Sequence, residues 1–228
     1  MKIENTKFDG IFYDFKNRKK VLLTKNLTPG LTFFNEGLDD YREFDPKRSK
    51  LSAAIMKGLN FMPIKKGSKV LYLGASHGYT CSFVSDIIED GYVYCLDFSS
   101  RVVRDLVYIC EKRENMAPLL EDANKPETYK DKISEVNIIY MDIAQRNQVQ
   151  IFLKNIEMFL SKKDYALIAI KSRSIDVTKR PQEIFRLVEK ELEGKLKIID
   201  KVSLEPYQRD HYFYVCQLKW KKKRRMNK

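Results

Sequence analysis

A lysine at the end of an apolar segment is the first residue in this sequence that could carry chemistry. Residues 165–171 read YALIAIK, and the apolar run before the lysine is typical of a short strand buried on both faces. Lys171 ends this run and precedes a polar, turn-like stretch. Such a lysine either extends its ammonium group to solvent or is held at the strand end for a function. The residues alone leave both interpretations open.

A glycine-containing turn after an earlier predicted strand indicates a ligand site. The segment LGASHGYT carries Gly74 and Gly78, and such a turn lets backbone N–H groups approach a ligand closely. The segment is neither the GxGxxG motif of dinucleotide-binding proteins nor the GK[ST] motif of a phosphate-binding loop. Because tight turns use glycine in any case, the motif is weak evidence by itself.

Three aspartates strengthen this hypothesis, because each ends one of the following predicted strands. Asp97 comes 23 residues after Gly74, where a carboxylate can accept both hydroxyls of an adenosine ribose. Asp122 is placed to reach the adenine amino group, and Asp142 ends the next strand. Each acid could instead cap the helix after it. The pyrophosphate of NAD requires a denser glycine motif, so S-adenosylmethionine, which has no phosphate, suits this turn better.

The elements that must position these residues alternate between strand and helix from about residue 49. Strands are predicted at 69–73, 92–98, 117–122, 136–142, 165–171, 196–204 and 211–220. Helices are predicted at 81–89, 99–114, 147–160 and 180–192, with serine at the start of the second and Pro181 in the first turn of the last. This alternation predicts a doubly wound, Rossmann-like α/β sheet that binds ligands at the carboxyl ends of its strands.

Three segments are expected along the chain. Residues 1–48 show short aromatic and β-branched runs broken by Asp-Gly, Asn and Pro-Gly, which predicts a small antiparallel β subdomain. Residues 49–220 form the main α/β domain, and residues 221–228 form a basic tail. We expect the tail to be disordered and to contact phosphates nonspecifically.

Composition narrows the class of protein. The 228 residues include 43 Lys and Arg against 31 Asp and Glu, a net charge of +12 that favours a polyanionic partner such as nucleic acid, although many basic proteins bind none. The sequence contains no apolar run long enough to span a bilayer and no secretory leader, so a cytoplasmic location is expected. Four cysteines without CxxC spacing and two histidines argue against a zinc site or a disulfide framework.

Seven segments that span nearly the whole chain match one known family: YREFDPKRSKLSAAIMKGL, KVLYLGASHGYT, VYCLDFSSRVVRDL, EDANKP, VNIIYMDIAQRNQ, IAIKSRSIDVTK and EPYQRDH. Together they resemble the fibrillarin family, the S-adenosylmethionine-dependent RNA 2′-O-methyltransferases, in its archaeal form without a glycine/arginine-rich region. It implies a class I methyltransferase sheet. One departure is that His77 and Tyr79 stand where the family's glycine loop usually has a small residue and a threonine.

The resemblance also implies the site residues. The catalytic set would be Lys50, Asp142, Lys171 and His211. The S-adenosylmethionine site would comprise Gly74, Ala75, Tyr79, Thr80, Asp97, Phe98, Asp122, Ala123, Asp142, Ile143, Ala144 and Gln145. The implied partners are a box C/D guide RNA, a target rRNA or tRNA, a Nop-family scaffold protein and a kink-turn-binding protein of ribosomal type.

The implied reaction requires a general base, because a ribose hydroxyl must lose its proton as it attacks a sulfonium methyl group. We expect Lys171 to be this base, since burial and nearby positive charge favour a neutral amine, whereas Asp142 favours the charged form. Three simpler roles stay open. These are a strand-end lysine for Lys171, a solvated side chain at a helix start for Lys50, and a core histidine for His211.

Two other functions fit parts of the sequence. One is a nucleotide-dependent oxidoreductase on the same scaffold, which the missing GxGxxG motif disfavours. The other is a non-catalytic RNA-binding subunit, for which the Lys-Asp-Lys arrangement would have no purpose. No RNA-reading module is visible in the sequence, which suits an enzyme whose target is chosen by a separate guide.

Overall fold

The computed structural model describes residues 2–36 and 40–219. Its N-terminal part is a four-stranded antiparallel meander with strands in chain order. The strands are β1 (Glu4–Asn5), β2 (Ile11–Lys16), β3 (Lys19–Lys25) and β4 (Tyr41–Glu43). Asn17 and Arg18 connect β2 and β3 with positive φ angles of 49° and 63°, a two-residue turn whose twist matches the hairpin. The predicted N-terminal β subdomain is confirmed.

The main sheet has seven strands in the order β10-β11-β9-β8-β5-β6-β7. They are β5 (Lys69–Leu73), β6 (Tyr92–Asp97), β7 (Met116–Leu120), β8 (Ile138–Met141), β9 (Tyr165–Lys171), β10 (Leu196–Ser203) and β11 (His211–Leu218). Strands β5 to β9 pair in parallel, and β11 lies antiparallel to both of its neighbours. The predicted α/β class, with a mostly parallel sheet, is confirmed.

Six α-helices accompany the strands in the described residues. They are α1 (Lys50–Met56), α2 (Tyr79–Ile88), α3 (Ser100–Cys110), α4 (Gln148–Phe159), α5 (Ser172–Ile175) and α6 (Pro181–Lys195). The sheet is buried on both faces: in β5, Val70 and Tyr72 belong to one core with residues of α1 to α3, while Leu71 and Leu73 belong to the other core with residues of α4 and α6. This explains why the strands read as continuous apolar runs.

The strand order creates a switch point beside β5. The chain leaves β5 for β6 on one side and returns for β8 on the other. The connections therefore diverge at the carboxyl ends of these strands and leave a crevice there, where ligands bind in open α/β sheets. The predicted glycine turn and aspartates all lie at this edge.

The structure departs from the sequence predictions in a few places. The segment after Lys171, expected to be a turn, forms the single helical turn α5. Ser99 is the residue before α3, as expected, but its side chain makes no capping hydrogen bond. The basic tail at 221–228 lies outside the described residues. Within the described part of the chain, no helix combines the length and apolar character needed to cross a membrane.

Candidate active site

A cavity of about 300 Å³ opens at the carboxyl ends of β5 to β8. Nine of the twelve residues predicted to bind the cofactor line it, namely Gly74, Asp97, Phe98, Asp122, Ala123, Asp142, Ile143, Ala144 and Gln145. Ser76 and Leu96 also line it, and sequence reasoning missed both. Chain segments after four different strands therefore converge on one space, as the doubly wound topology requires.

The glycine turn holds two sides of the cavity close together. Gly74 has a φ of +86°, and a Cβ atom there would lie 2.5 Å from the carbonyl oxygen of Asp142. The N–H groups of Gly74 and Ala75 both donate to the Leu96 carbonyl at 2.9 Å. Gly78, also at +86°, precedes α2, and a Cβ atom there would lie 2.8 Å from Leu106 Cδ1. A side chain at position 74 would meet fixed backbone at the end of β8, whereas at position 78 the positive φ is the reason for glycine, because the Leu106 side chain can move.

Asp97 is oriented by backbone N–H groups from two segments. Its Oδ2 accepts a hydrogen bond from Ser76 N at 2.9 Å, and its Oδ1 accepts one from Ser99 N at 3.0 Å. The first bond fixes the glycine turn and the second the start of α3. A carboxylate has about four lone-pair positions, so capacity for two ligand hydroxyls remains on its cavity side. The alternative that Asp97 serves the helix start is therefore compatible with ligand binding.

Asp122 and Gln145 belong to one hydrogen-bonded arrangement across the cavity mouth. Asp122 Oδ1 accepts hydrogen bonds from the backbone and side-chain nitrogens of Asn124 at 2.9 and 3.1 Å. Asn124 Nδ2 also donates to Gln145 Oε1 at 3.4 Å. The hydrogen bond from the backbone N–H of Asn124 is the main cause that lowers the pKa of Asp122. The carboxylate is therefore ionised and can accept a hydrogen bond from an amino group.

Three predicted cofactor residues do not line the cavity. Ala75 and Thr80 are buried, and the Thr80 hydroxyl donates to Ser49 Oγ at 3.2 Å. Tyr79 packs edge-on against Phe34 with ring centroids 5.1 Å apart. Of the two side chains that depart from the family's usual loop, Tyr79 is thus directed toward the N-terminal part of the chain, and His77 Nδ1 lies 2.9 Å from Asp105 Oδ2.

Two of the four predicted catalytic residues form an ion pair. Lys50 Nζ lies 2.9 Å from Asp142 Oδ2, and both side chains are mostly buried, with exposures of 24% and 18%. Lys50 begins α1, where Ser49 caps the helix by accepting from Ser52 N. Asp142 also lines the cavity, so it connects the cavity to the side where the methyl-accepting hydroxyl is predicted to lie. The simpler role of Lys50 as a merely solvated lysine does not fit this contact.

The other two predicted catalytic residues lie opposite each other on the adjacent strands β9 and β11. Lys171 ends β9 and is the register partner of His211, which begins β11. His211 Nδ1 lies 2.6 Å from the Arg209 carbonyl oxygen, which can only accept, so Nδ1 carries the hydrogen and Nε2 is available as an acceptor. Burial lowers the pKa of His211, and the charges of Lys50 and Lys171 lower it further, while the Arg209 carbonyl and Asp142 oppose them. The imidazole is therefore neutral at neutral pH.

Lys171 makes no ion pair with Asp142, the acid that was expected to favour its charged form. The side chain of Lys171 is exposed although its strand is buried. In residues 2–36 and 40–219 no carboxylate pairs with its ammonium group, because the partner of Asp142 is Lys50. Lys171 thus does extend toward solvent, at a position next to His211.

Gln148 is a further residue of the site that sequence reasoning missed. It is fully buried at the start of α4, and its Nε2 donates to the carbonyls of Gln145 at 2.9 Å and Lys171 at 3.5 Å. It therefore connects the cavity loop to the end of β9. Its side-chain oxygen has no hydrogen-bond partner among the described residues. Nothing in its sequence neighbourhood distinguishes it from any glutamine at a helix start.

The sheet order with a reversed β11, together with the cavity at the carboxyl edge, defines the class of Rossmann-like S-adenosylmethionine-dependent methyltransferases. Comparison with known proteins identifies the family. The fibrillarin family model matches residues 3–220. The chain is 46% identical over 225 residues to the fibrillarin-like rRNA/tRNA 2′-O-methyltransferase of Thermococcus onnurineus, covering 95% of this chain and 99% of the relative. The chain belongs to the fibrillarin family.

Two solved structures show the same architecture. Fibrillarin of Aeropyrum pernix, with natively bound S-adenosyl-L-methionine, superposes with a TM-score of 0.86 at 38% identity, covering 95% of this chain and 98% of that one. A chain of a fibrillarin/Nop5p complex superposes with a TM-score of 0.83 at 41% identity, covering 87% and 94%. These matches favour neither of the two other functions considered from the sequence.

Proposed function

We propose that this protein transfers a methyl group from S-adenosylmethionine to a ribose 2′-hydroxyl of RNA, and that a guide RNA selects the nucleotide. The observation that carries this proposal is the meeting of two groups of residues at one sheet edge. The Lys50–Asp142 pair adjoins the cavity. The Lys171–His211 pair lies where β9 ends and β11 begins. The names of the matching relatives, rRNA/tRNA 2′-O-methyltransferases, support the same reaction.

The chemistry of the cavity fits the cofactor. Asp97 would hold the ribose hydroxyls, Asp122 would accept from the adenine amino group, and apolar side chains such as Leu96 and Ile143 would contact the ring faces. Asp142 lies on the side toward Lys50, where its carboxylate would suit the ammonium group of the methionyl end. When bound there, S-adenosylmethionine supplies an electrophilic methyl group on a sulfonium.

Replacing Asp97 by alanine should weaken S-adenosylmethionine binding by about 1.5–3 kcal/mol, the range for hydrogen bonds to a charged group, or roughly 10- to 150-fold. The loss has two sources, the ribose contacts and the hydrogen bond that fixes Ser76 in the glycine turn. Calorimetric titration measures it. Replacement of Glu111, an exposed acid just beyond α3, is the matched control and should leave the affinity unchanged. An unchanged affinity for the Asp97 variant would place the ribose elsewhere.

On the acceptor side, Lys171 is the proposed base. Its amine must be neutral to accept the hydroxyl proton, and bound RNA would bury a side chain that is exposed in the free chain. The carboxylate of Asp142 pairs with Lys50 at 2.9 Å. Neutral His211 adds no competing charge, and its Nε2 can accept a hydrogen bond that orients the amine or the hydroxyl.

The proposed setting is a ribonucleoprotein. The solved fibrillarin/Nop5p complex supports a Nop-family scaffold as partner, and RNA as substrate follows from the names of the relatives. We further propose a box C/D guide RNA and a kink-turn-binding protein. A basic surface attracts phosphates without regard to sequence, whereas in-line attack requires one ribose in register, so an external template must supply the register.

The testing experiment reconstitutes the protein with a guide RNA, a Nop-family scaffold and a kink-turn-binding protein, and measures transfer of tritium from labelled S-adenosylmethionine. We expect methylation at the guided nucleotide, a shift of the site when the guide is changed, and no transfer to a target with deoxyribose at that position. The protein alone should bind the cofactor yet methylate naked RNA poorly. Efficient, site-specific methylation without the guide would contradict the proposal.

A further inference from the structure

The loop between β10 and β11, residues 204–210, is held by one internal hydrogen bond and by contacts to two other segments. Asp210 has a φ of +59°, and its N–H donates to Glu205 Oε1 at 2.8 Å. The Asp210 carbonyl accepts from the backbone N–H of Ser172 at 3.1 Å. Gln208 Nε2 donates to the Lys47 carbonyl at 2.6 Å. The loop is thereby tied both to the segment after β9 and to the segment before α1.

Arg209 is the charged side chain of this loop that does not help to hold it. Glu205 and Asp210 both accept hydrogen bonds or ion pairs inside the molecule. The Arg209 side chain is 89% exposed, and its nearest acid contact, Nε to Asp210 Oδ2, spans 3.9 Å, too long for a hydrogen bond. Yet the Arg209 carbonyl accepts a hydrogen bond from His211 Nδ1, with 2.6 Å between the two atoms. A fixed backbone next to His211 therefore presents to solvent a guanidinium that makes no hydrogen bond among the described residues.

Arg173 contacts the same acid from the segment after β9. Lys171 and His211 are register partners, and beyond them Ser172 contacts Asp210. Continuing outward, Arg173 Nε lies 3.4 Å from Asp210 Oδ2, the same oxygen that Arg209 approaches. Asp210 thus contacts two guanidinium groups, one two residues after Lys171 and one two residues before His211. Lys171, Arg173 and Arg209 against Glu205 and Asp210 leave an excess of one positive charge at this place.

We propose that Arg209, supported by Arg173, binds a backbone phosphate of the target RNA strand next to the nucleotide to be methylated. This inference rests on the proposed function. Two residues of chain span at most about 7 Å, so the Arg209 backbone is within that distance of His211. A guanidinium presents a planar fork that matches two phosphate oxygens, and phosphate contacts set the register of a nucleic acid without reading its sequence. Such a contact would hold the acceptor ribose in line.

The experiment compares the wild-type protein with Arg209→Ala and Arg209→Lys in the reconstituted, guided complex. For the alanine variant we expect a roughly tenfold or larger rise in KM for the target RNA, with S-adenosylmethionine affinity unchanged. The dependence of log affinity on log salt should fall in magnitude by about one, the value for one lost phosphate contact. Lysine should restore the salt dependence but only part of the KM. Arg104→Ala, at an exposed position on α3, is the matched control and should change nothing.

A neutral phosphate analogue identifies the strand. A methylphosphonate placed at a linkage beside the target nucleotide should raise the wild-type KM as much as Arg209→Ala does, and should add nothing in that variant. A methylphosphonate on the guide strand should act independently of the Arg209→Ala change. The inference is overturned if only the guide-strand analogue is non-additive with Arg209→Ala, or if neither analogue is. It is also overturned if Arg209→Ala leaves the KM and the salt dependence unchanged. A wild-type complex that fails to methylate at all would instead contradict the proposed function.

Discussion

Replacing Lys171 by alanine should lower the rate of methyl transfer in the guided complex by about 10²- to 10⁴-fold, the typical contribution of a positioned acid–base group. The affinity for S-adenosylmethionine should stay within a few fold, because Lys171 does not line the cofactor cavity. Single-turnover transfer of tritium, with enzyme in excess over target, measures the chemical step. A loss below about fivefold would show that another group removes the proton.

Lys171→Arg is the control that separates a base from a fixed positive charge. Arginine keeps the charge and much of the length but cannot give up its proton in a protein. If Lys171 is the base, the arginine variant should be as slow as the alanine variant. An arginine variant with near wild-type activity would mean that Lys171 acts as a charge, and the neutral His211, with Nε2 available, would then be the remaining candidate base.

The position of the site could be predicted from the sequence because its signals are local. A carboxylate that follows an apolar run, as Asp97 and Asp142 do, ends up at the carboxyl edge of a parallel sheet whatever the details of packing. The glycines of the turn are equally visible, and the structure gives a reason for Gly74, where a side chain would meet the carbonyl of Asp142.

The pairing within the site could not be predicted, because it depends on contacts between distant segments. The sequence predicted that Asp142 favours the charged form of Lys171. In the structure α1 packs against the sheet, and Asp142 forms its ion pair with Lys50. Tyr79 has the sequence position of a cofactor residue, but Phe34, from far earlier in the chain, determines which way its ring packs. Local pattern fixes the edge of the sheet on which a residue lies, and tertiary packing selects its partner.

A buried charge cluster between the N-terminal sheet and α2 is the clearest feature that depends on contacts between distant segments. Asp86 of α2 lies 2.6 Å from both Arg42 and Arg113, and Arg42 lies 2.9 Å from Glu36. All four side chains are at most 1% exposed. Asp86 also accepts from the Thr24 hydroxyl of β3 at 2.9 Å. Two positive and two negative side chains balance, which is the condition under which charges can be buried.

Replacing Asp86 by alanine should lower the free energy of unfolding by about 3–5 kcal/mol, the cost of removing one member of a buried ion pair. The change leaves two buried guanidinium groups with Glu36 as their one remaining acid in the cluster, and it removes the acceptor of the Thr24 hydroxyl of β3. Arg42 of β4 keeps its hydrogen bond to Ser82 Oγ of α2 at 2.8 Å. Urea unfolding followed by circular dichroism measures the loss. Asp86→Asn should be nearly as damaging, because an amide keeps the shape but not the charge.

The neighbouring strand offers a matched control. Glu43 of β4 pairs with Lys16 at 2.8 Å, but both side chains are at least 40% exposed, so Glu43→Ala should cost less than about 1 kcal/mol.

The pH dependence of stability adds an independent check. Burial would raise the pKa of Glu36, but Arg42 and the N–H groups of Phe33 and Phe34 outweigh it and lower the pKa. The stability that this carboxylate contributes is therefore present above the unfolded pKa of glutamate, about 4.3, and is lost as the pH falls through the lower folded value. If Asp86→Ala and Glu43→Ala cost the same, the buried cluster does not hold the N-terminal sheet to the main domain.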